Sequence, residues 1–166
     1  MCQRPRAGGG TDERGFTLVE LMIVVLIIAI LLAVAIPVFW AARERAVDRA
    51  VQADLTTALK AVEVVRADDE GLATITPAQL ESAEPELAWL NDATTAEARQ
   101  HEVSVATGTL AGEEYLVLST HSPLGDCLAV RVLQRSPTTF TRLDGDICPA
   151  GSFDPAFGWN LEWPAR

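Results

Sequence analysis

The sequence predicts an α+β protein in which one long N-terminal helix packs on a four-stranded antiparallel sheet. Three observations predict this fold class: an uncharged apolar run near the N-terminus, an apolar stripe at helical spacing directly after it, and four β-rich segments in the second half. Beyond the apolar run, the 166-residue chain is long enough for one small globular domain. The formal net charge is −10 and Lys and Arg form no cluster, so nucleic acid is not expected as the primary partner.

The apolar run predicts a membrane-spanning helix. Residues 21–42 carry no charge, and a helix of this length spans about 33 Å, against about 30 Å for the hydrocarbon core of a bilayer. Its apolar side chains favour insertion by roughly 5 to 10 kcal/mol, which exceeds the cost of the single carboxylate of Glu20. The run is too long for the core of a secretory signal peptide, and Cys2 precedes it, which excludes a lipoprotein signal. The flanking basic residues are equal in number on both sides, so charge alone leaves the orientation open.

The segment after this run predicts the amphipathic continuation of the same helix. Apolar residues recur there at three- and four-residue steps, while charged residues lie largely on other faces. We therefore expect one helix from Phe16 to about Arg66, in which residues 16–42 cross the membrane and residues 43–67 pack on a domain. The helix should end near Gly71, because the acidic residues before it oppose the dipole at a helix C-terminus. The stripe comprises Val47, Val51, Leu55, Ala58, Leu59, Val62 and Val65.

Residues 68–166 are predicted to form the globular head. Thr76 and Pro77, followed by Gln79, have the pattern of an N-cap, a first-turn proline and a capping-box glutamine, which predicts a short connecting helix. Four later segments are rich in Val, Leu, Thr and aromatic residues and are separated by Gly, Pro, Ser and Asp. In one of them, Leu128, Val130 and Val132 occupy alternate positions and lie on one face, which should pack on the helix stripe. The four predicted strands are residues 102–107, 114–120, 128–134 and 138–143.

Cys127 and Cys148 bracket the last two predicted strands. Their spacing fits neither a CxxC redox motif nor a four-ligand zinc site. Two interpretations remain, a disulfide outside the cytoplasm or two unpaired buried thiols. A bridge would close a loop of about 20 residues and stabilise the head by roughly 3 kcal/mol. The aromatic residues after Cys148 favour a tail that folds back on the domain over an exposed contact patch.

The most specific motif is the stretch RGFTLVELM, from Arg14 to Met22, which leads directly into the apolar run. It strongly resembles the type III signal sequence of type IV prepilins. The resemblance implies that a membrane-embedded prepilin peptidase cuts between Gly15 and Phe16 and methylates the new amine of Phe16. Residues 1–15 would then be a cytoplasmic leader, and the head would lie outside the cytoplasm.

The same resemblance implies a role in assembly. A carboxylate in a lipid-facing segment needs a counter-charge, and no basic residue lies between Glu20 and Arg43. The available cation is the ammonium that cleavage creates at Phe16, on the same or a neighbouring subunit. Pro37 should kink or locally melt the helix, because proline removes one backbone hydrogen bond; the alternative is a tolerated proline in a membrane helix without mechanical meaning. The cysteine pair is similar to the disulfide-bounded C-terminal region of many type IV pilins, which related pseudopilins often lack.

The resemblance therefore implies a structural subunit of a type IV pilus. Its partners would be prepilin peptidase, copies of itself and minor pilins in a helical filament, the inner-membrane platform and assembly machinery, and the membrane. A pseudopilin of a type II secretion or DNA-uptake system shares the motif. An unrelated single-pass membrane-anchored binding domain would carry it by accident.

Neither an enzyme nor a cofactor protein is expected. The only histidines, His101 and His121, stand apart from any nucleophile motif. Three acidic residues of the C-terminal loops do not have EF-hand spacing, so a solvated acidic loop is expected there rather than a calcium site. These residues are Asp144, Asp146 and Asp154.

Overall fold

The computed structural model describes residues 15–68, 71–91, 101–145, 148–156 and 158–164. The chain divides into two compact units, Met1–Ala41 and Ala42–Arg166. The described part of the first unit is dominated by the apolar half of a long helix. The second unit contains the rest of that helix, a short helix, a sheet and the C-terminal tail.

Helix α1 extends over Leu18–Asp68, a length of 51 residues, and confirms the long helix expected from the apolar run and the stripe. The segment contains no glycine, and its only proline is Pro37. The described side chains up to Ala46 are exposed, whereas from Val51 onward one stripe of α1 is buried. One secondary-structure element thus supplies both an exposed apolar surface and a part of the core.

The second unit is a helix-and-sheet domain. Helix α2, Pro77–Ala83, begins after Thr76, whose backbone N–H donates to Gln79 Oε1 at 2.8 Å. The five strands lie in the order in which they occur in the chain. They are β1 (Ala88–Asn91), β2 (Glu102–Leu110), β3 (Glu113–Ser122), β4 (Asp126–Leu133) and β5 (Thr139–Asp144).

The prediction of four strands was wrong by one, since the structure adds β1. This strand pairs parallel with β2, in the register Ala88 to Glu102, whereas the remaining neighbours are antiparallel. Four residues are too few for a clear alternation of apolar and polar side chains. A parallel pair also has no hairpin turn between its strands, so no turn signal marks it in the sequence.

One face of the sheet packs on the second half of α1. Leu128, Val130 and Val132 of β4 lie in this core, as their alternation predicts. Leu116 and Leu118 of β3 stand opposite Val132 and Val130 in the antiparallel register. The helix contributes Val51, Leu55, Ala58, Ala61, Val62 and Val65.

The other face of the sheet is covered by the C-terminal segment. A second buried cluster there joins Ala106, Val117, Cys127, Ala129, Cys148, Ala150 and Phe153. Farther along the tail, Asn160 pairs with Phe140 through two backbone hydrogen bonds of 2.7 and 2.8 Å. The ring of Trp163 lies 4.5 Å from that of Phe140, measured between centroids, and these two rings pack against the core on the α1 face of the sheet. The tail therefore folds back on the domain; Phe157 lies outside the described residues.

Arg131 fastens part of this tail to the sheet. Its Nε donates to Thr139 Oγ1 at 3.1 Å, and its Nη1 donates to the carbonyl of Pro155. The guanidinium carbon lies 5.0 Å from the centre of the Trp159 ring, a cation–π contact. Burial lowers the pKa of the Arg131 guanidinium, and the carboxylate of Glu113 opposes that shift.

Candidate processing and assembly site

The bond between Gly15 and Phe16 lies in an exposed segment just before α1. An added Cβ at Gly15 would meet no atom within 4 Å, and Phe16 is 79% exposed. The two residues that follow the bond, Phe16 and Thr17, precede the first helical residue, Leu18. The backbone at this position is therefore outside the helical hydrogen-bond ladder, and no described residue covers Gly15.

Thr17 caps the N-terminus of α1. Its hydroxyl accepts the backbone N–H of Glu20 at 3.2 Å, and its carbonyl accepts the N–H of Leu21 at 3.2 Å. A threonine cap satisfies one of the free N–H groups in the first helical turn and fixes where the helix begins. Sequence reasoning missed this role, although the pattern Thr-x-x-Glu from Thr17 to Glu20 is its usual signal.

Glu20 lies in the first turn of α1 and is exposed. Negative charge is favourable at this end of a helix, because the unpaired N–H groups carry partial positive charge. Among the residues that the structure describes, no side chain forms an ion pair with the Glu20 carboxylate. The carboxylate is therefore available to a cation outside the described part of the chain.

Between Leu21 and Ala42, α1 presents apolar side chains on all of its sides. Its large hydrophobic residues from Leu18 to Trp40 are between 46% and 71% exposed. The helix is long and apolar enough to cross a membrane, and its most apolar stretch is not buried against any described part of the chain. A core helix of a soluble domain would bury this surface, so the segment fits the membrane anchor of a precursor.

Pro37 lies inside α1, and the helix is continuous through it. Its ring nitrogen cannot donate the hydrogen bond that other residues give to the preceding turn. The kink expected at Pro37 stays a prediction.

Cys127 and Cys148 are joined by a disulfide, with their Cα atoms 5.4 Å apart. Cys127 lies at the start of β4, and Cys148 lies in the segment that crosses the sheet face opposite α1. Two buried hydroxyls hold that segment: Ser119 Oγ donates to the carbonyl of Cys148 at 2.5 Å, and Ser104 Oγ accepts the N–H of Ala150 at 3.0 Å. Sequence reasoning did not identify these two serines, because no local pattern links them to the segment that they bind.

An ion cluster links the second half of α1 to the sheet. Arg142 of β5 donates to Asp126 of β4 at 3.0 Å and to Asp48 of α1 at 3.3 and 3.4 Å. The side chain of Arg142 is 8% exposed, so the three charges are largely removed from water. Sequence reasoning missed this cluster too, because Asp48 and Arg142 are 94 residues apart.

The acidic loop residues form no metal site in the described part of the chain, where no group of three or more His, Cys, Asp or Glu side chains could hold an ion. Asp146, one of the three residues considered for calcium, lies outside the described residues.

Comparison with known proteins bears on the N-terminal segment. A family model described as the prokaryotic N-terminal methylation motif matches residues 11–36, which include Gly15, Phe16 and Glu20. No solved structure matches the chain. The matched motif, the exposed apolar helix that follows it and the mostly antiparallel sheet are similar to those of a type IV pilin-like protein with a prepilin-type signal. This confirms the resemblance found in the sequence.

One curated protein is also similar to this chain. The chain is similar to the type IV wide pilus major component PilA4 of Thermus thermophilus. The two are 54% identical over 58 residues, which make up 35% of this chain and 44% of that relative. The similarity thus spans less than half the length of the curated relative.

Proposed function

We propose that this chain is a non-enzymatic structural subunit of a type IV pilus. The observation that carries the proposal is the apolar half of α1, exposed on all sides and beginning three residues after the glycine of the methylation motif. Such a surface requires lipid around it before assembly and other apolar helices around it afterwards. The similarity to a protein named as the major component of a wide pilus supports the same role.

In this proposal, prepilin peptidase cuts the bond between Gly15 and Phe16 and methylates the new amine of Phe16. The exposure of Phe16 and the non-helical backbone before Leu18 favour access to this bond. The division of the chain follows from the cut: residues 1–15 are the leader, residues 16–42 the membrane and filament-core half of the helix, residues 43–67 its amphipathic half, and residues 68–166 the head.

The head then lies outside the cytoplasm, and the leader lies inside. A disulfide between Cys127 and Cys148 supports this orientation, because disulfides persist in oxidising compartments. After leaving the cytoplasmic membrane, the subunit joins other copies and minor pilins in a surface filament. The inner-membrane platform and the assembly machinery move it there.

Glu20 has a defined part in the transfer from membrane to filament. In the membrane, an unpaired carboxylate among apolar side chains raises the free energy of the subunit. In the filament, Glu20 pairs with the ammonium of Phe16 on the same or a neighbouring subunit. Breaking a buried pair by removing one partner costs about 3 to 5 kcal/mol, which lowers the equilibrium constant for one addition step more than a hundredfold.

Processing is tested by expressing the chain together with its prepilin peptidase and weighing the product by mass spectrometry. We expect a mature chain that begins at N-methylated Phe16. Gly15→Leu should stay uncut, because the peptidase site has to accommodate the residue before the bond, whereas the leader variant Gly10→Leu should be cut normally. An uncut wild-type chain that begins at Met1 in sheared filaments would contradict the proposal.

Assembly is tested by expressing Glu20→Ala as the only copy of the subunit, with Glu44→Ala as the matched control. Both glutamates are exposed on α1, but only Glu20 lies in its first turn. We expect both variants to reach the membrane fraction and only Glu44→Ala to reach sheared filaments at the wild-type level. Normal filament yield from Glu20→Ala would show that its charge is not used in assembly.

The location of the filament separates this proposal from the pseudopilin alternative. Antibodies against the head should label long filaments on intact cells of the native host. A chain that is processed and methylated but found only within the envelope, with a secretion or DNA-uptake defect on its deletion, would favour a pseudopilin. Either outcome leaves the processing result unchanged, since both classes share the motif.

A further inference from the structure

His121 and Cys127 lie directly opposite each other in the antiparallel pair of β3 and β4. Residues that are paired in this way point to the same face of a sheet, with their Cβ atoms about 4.5 to 5.5 Å apart. That face is the one that α1 does not cover, since Cys127 belongs to its buried cluster. His121 therefore lies beside a cysteine of the disulfide.

The ring of His121 is buried without a partner. The residue is 8% exposed, and within the described structure neither Nδ1 nor Nε2 has a hydrogen-bond partner. Buried polar atoms are normally paired, because losing water without gaining another partner is unfavourable. A disulfide has no proton to donate, whereas a cysteine thiol carries one that an imidazole nitrogen can accept. The reduced chain thus offers His121 a partner that the closed bridge removes.

The segment that carries Cys148 reaches the same face of β3. Ser119 lies two residues before His121 on the same side of the strand, and its Oγ donates to the carbonyl of Cys148 at 2.5 Å. The hairpin of β3 and β4 is local in sequence, whereas Cys148 follows β5. Local contacts close a shorter loop and form faster than distant ones. We therefore expect His121 to meet Cys127 before the Cys148 segment docks.

We propose that His121 is the base that promotes closure of the disulfide between Cys127 and Cys148. An oxidant that carries a disulfide first forms a mixed disulfide with Cys148 and releases one of its own sulfurs as a thiol. His121 then takes the proton from the Cys127 thiol, and the resulting thiolate attacks the sulfur of Cys148.

The atoms and electrons of this step balance. The bond between the two protein sulfurs forms while the mixed disulfide breaks, and the rest of the oxidant leaves as a thiolate that takes a proton from water. The two cysteines are oxidised by two electrons, and the oxidant's disulfide is reduced to two thiols. The imidazolium of His121 returns its proton to water before the Cys148 segment docks, so the ring is buried neutral. This role completes the fold of the head and is independent of pilus assembly.

The pH dependence of closure distinguishes a base from a structural residue. Ordinary carboxylates and guanidinium groups are charged from pH 7 to pH 9, and an ordinary imidazole is mostly neutral there. Among the described residues around this end of β3, the cysteine thiols are therefore the groups whose charge changes in that range. The other charged or titratable side chains on the neighbouring elements are Glu102 of β2, Asp126 of β4, Arg142 and Asp144 of β5, and Asp54 of α1 with His101.

The closure rate is measured on the full-length protein with Cys2→Ser, which removes the third cysteine. The reduced chain is unfolded in urea and diluted into detergent with oxidised glutathione as the oxidant. Acid stops the reaction at set times, and the remaining thiols are alkylated and counted by mass spectrometry. At pH 7 we expect His121→Gln to close about tenfold more slowly, because only a few per cent of an ordinary cysteine is thiolate there. At pH 9 the thiol ionises without help, so the two rates should agree within about twofold.

Two further variants provide the controls. His101→Gln changes the other histidine, which is exposed, and should close at the parent rate at both pH values. His121→Leu replaces the unpaired nitrogens by apolar atoms. It should show the same slowing at pH 7, while its closed form unfolds at the parent temperature or above.

Equal closure rates of His121→Gln and its parent at pH 7 would overturn the proposal. A slowing by the same factor at pH 7 and pH 9, including one caused by failure to fold, would overturn it too, because it would assign His121 a structural role only.

Discussion

The two halves of helix α1 have the same secondary structure and opposite relations to the rest of the chain. In the first half, side chains such as Leu31 are exposed on every side of the helix, Leu31 itself by 64%. In the second half, Leu55 and Ala58 are fully buried against the sheet. The helix is continuous between them, so helix formation alone does not decide which half enters the core.

The charged residues of the two halves differ in the same way. In the second half, Asp48 pairs with Arg142 and Asp54 contacts His101, both within the domain. In the first half, Glu20 has no ion-pair partner among the described residues. The second half of α1 thus contacts both apolar and charged side chains of its own chain. We infer that the first half finds them in lipid and in other copies of the protein.

The largest expected effect of a single substitution is at the ion cluster that joins the second half of α1 to the sheet. Arg142→Met leaves the carboxylates of Asp48 and Asp126 largely buried without their shared cation, which should cost about 3 to 5 kcal/mol of unfolding free energy. Urea unfolding of the full-length protein in detergent, followed by tryptophan fluorescence, measures this. Arg135→Met, at an exposed position, should change the value by less than about 0.5 kcal/mol; equal effects would show that the cluster does not anchor the helix.

A matched pair of leucines tests the comparison of the two halves directly. Leu55→Ala removes a fully buried side chain and should lower the unfolding free energy of the domain by about 2 to 5 kcal/mol. Leu31→Ala lies on the exposed half and should leave that value unchanged. The same urea titration reads out both variants. If Leu31→Ala destabilised the domain as strongly as Leu55→Ala, the two halves would not differ as described.

The disulfide lies on the sheet face that α1 does not cover. Its removal should lower the unfolding free energy of the domain. The bridge joins residues 21 positions apart, and its loss should cost about 3 kcal/mol. Thermal unfolding of the double variant Cys127→Ser, Cys148→Ser measures the loss, while circular dichroism before unfolding should show the helix intact.

The bridge itself is tested by alkylation of the denatured, unreduced protein. The mature chain should bind no alkylating reagent, and the precursor should bind one equivalent, at Cys2. Two labelled cysteines in mature protein freshly isolated from filaments would show that the thiols are unpaired.

The smallest expected effect concerns the start of α1. Thr17→Ala removes the hydroxyl that accepts the Glu20 N–H and should destabilise the first helical turn by about 1 kcal/mol. Amide hydrogen exchange near Glu20 should therefore quicken while the unfolding free energy of the domain stays constant. Thr17→Ser, which keeps a capping hydroxyl, should restore the wild-type exchange rate.

Much of the helix and most of the sheet could be predicted, because their signals lie within short segments. The stripe from Val47 to Val65 repeats at helical spacing, and the alternation of Leu128, Val130 and Val132 identifies the face that α1 covers. The prepilin-type signal is equally local, since Gly15, Phe16 and Glu20 lie within six residues. The cap at Thr17 could have been found by the same kind of pattern and was overlooked.

The features that were missed depend on contacts between distant residues. Strand β1 is short and pairs parallel with β2, so neither alternation nor a hairpin turn marks it. The serines that hold the disulfide segment bind it across 29 and 46 residues of chain. Nothing in the sequence near Ser104 or Ser119 distinguishes them from other strand serines.

The sequence by itself determined that an apolar helix with a prepilin-type signal precedes an amphipathic half and a β-rich head, because each of these is a pattern of neighbouring residues. Only the tertiary structure decided that part of the tail covers the second face of the sheet and that Asp48, Asp126 and Arg142 share one buried cluster. The physical reason is that burial and pairing depend on which distant segments meet, and a local pattern does not record that.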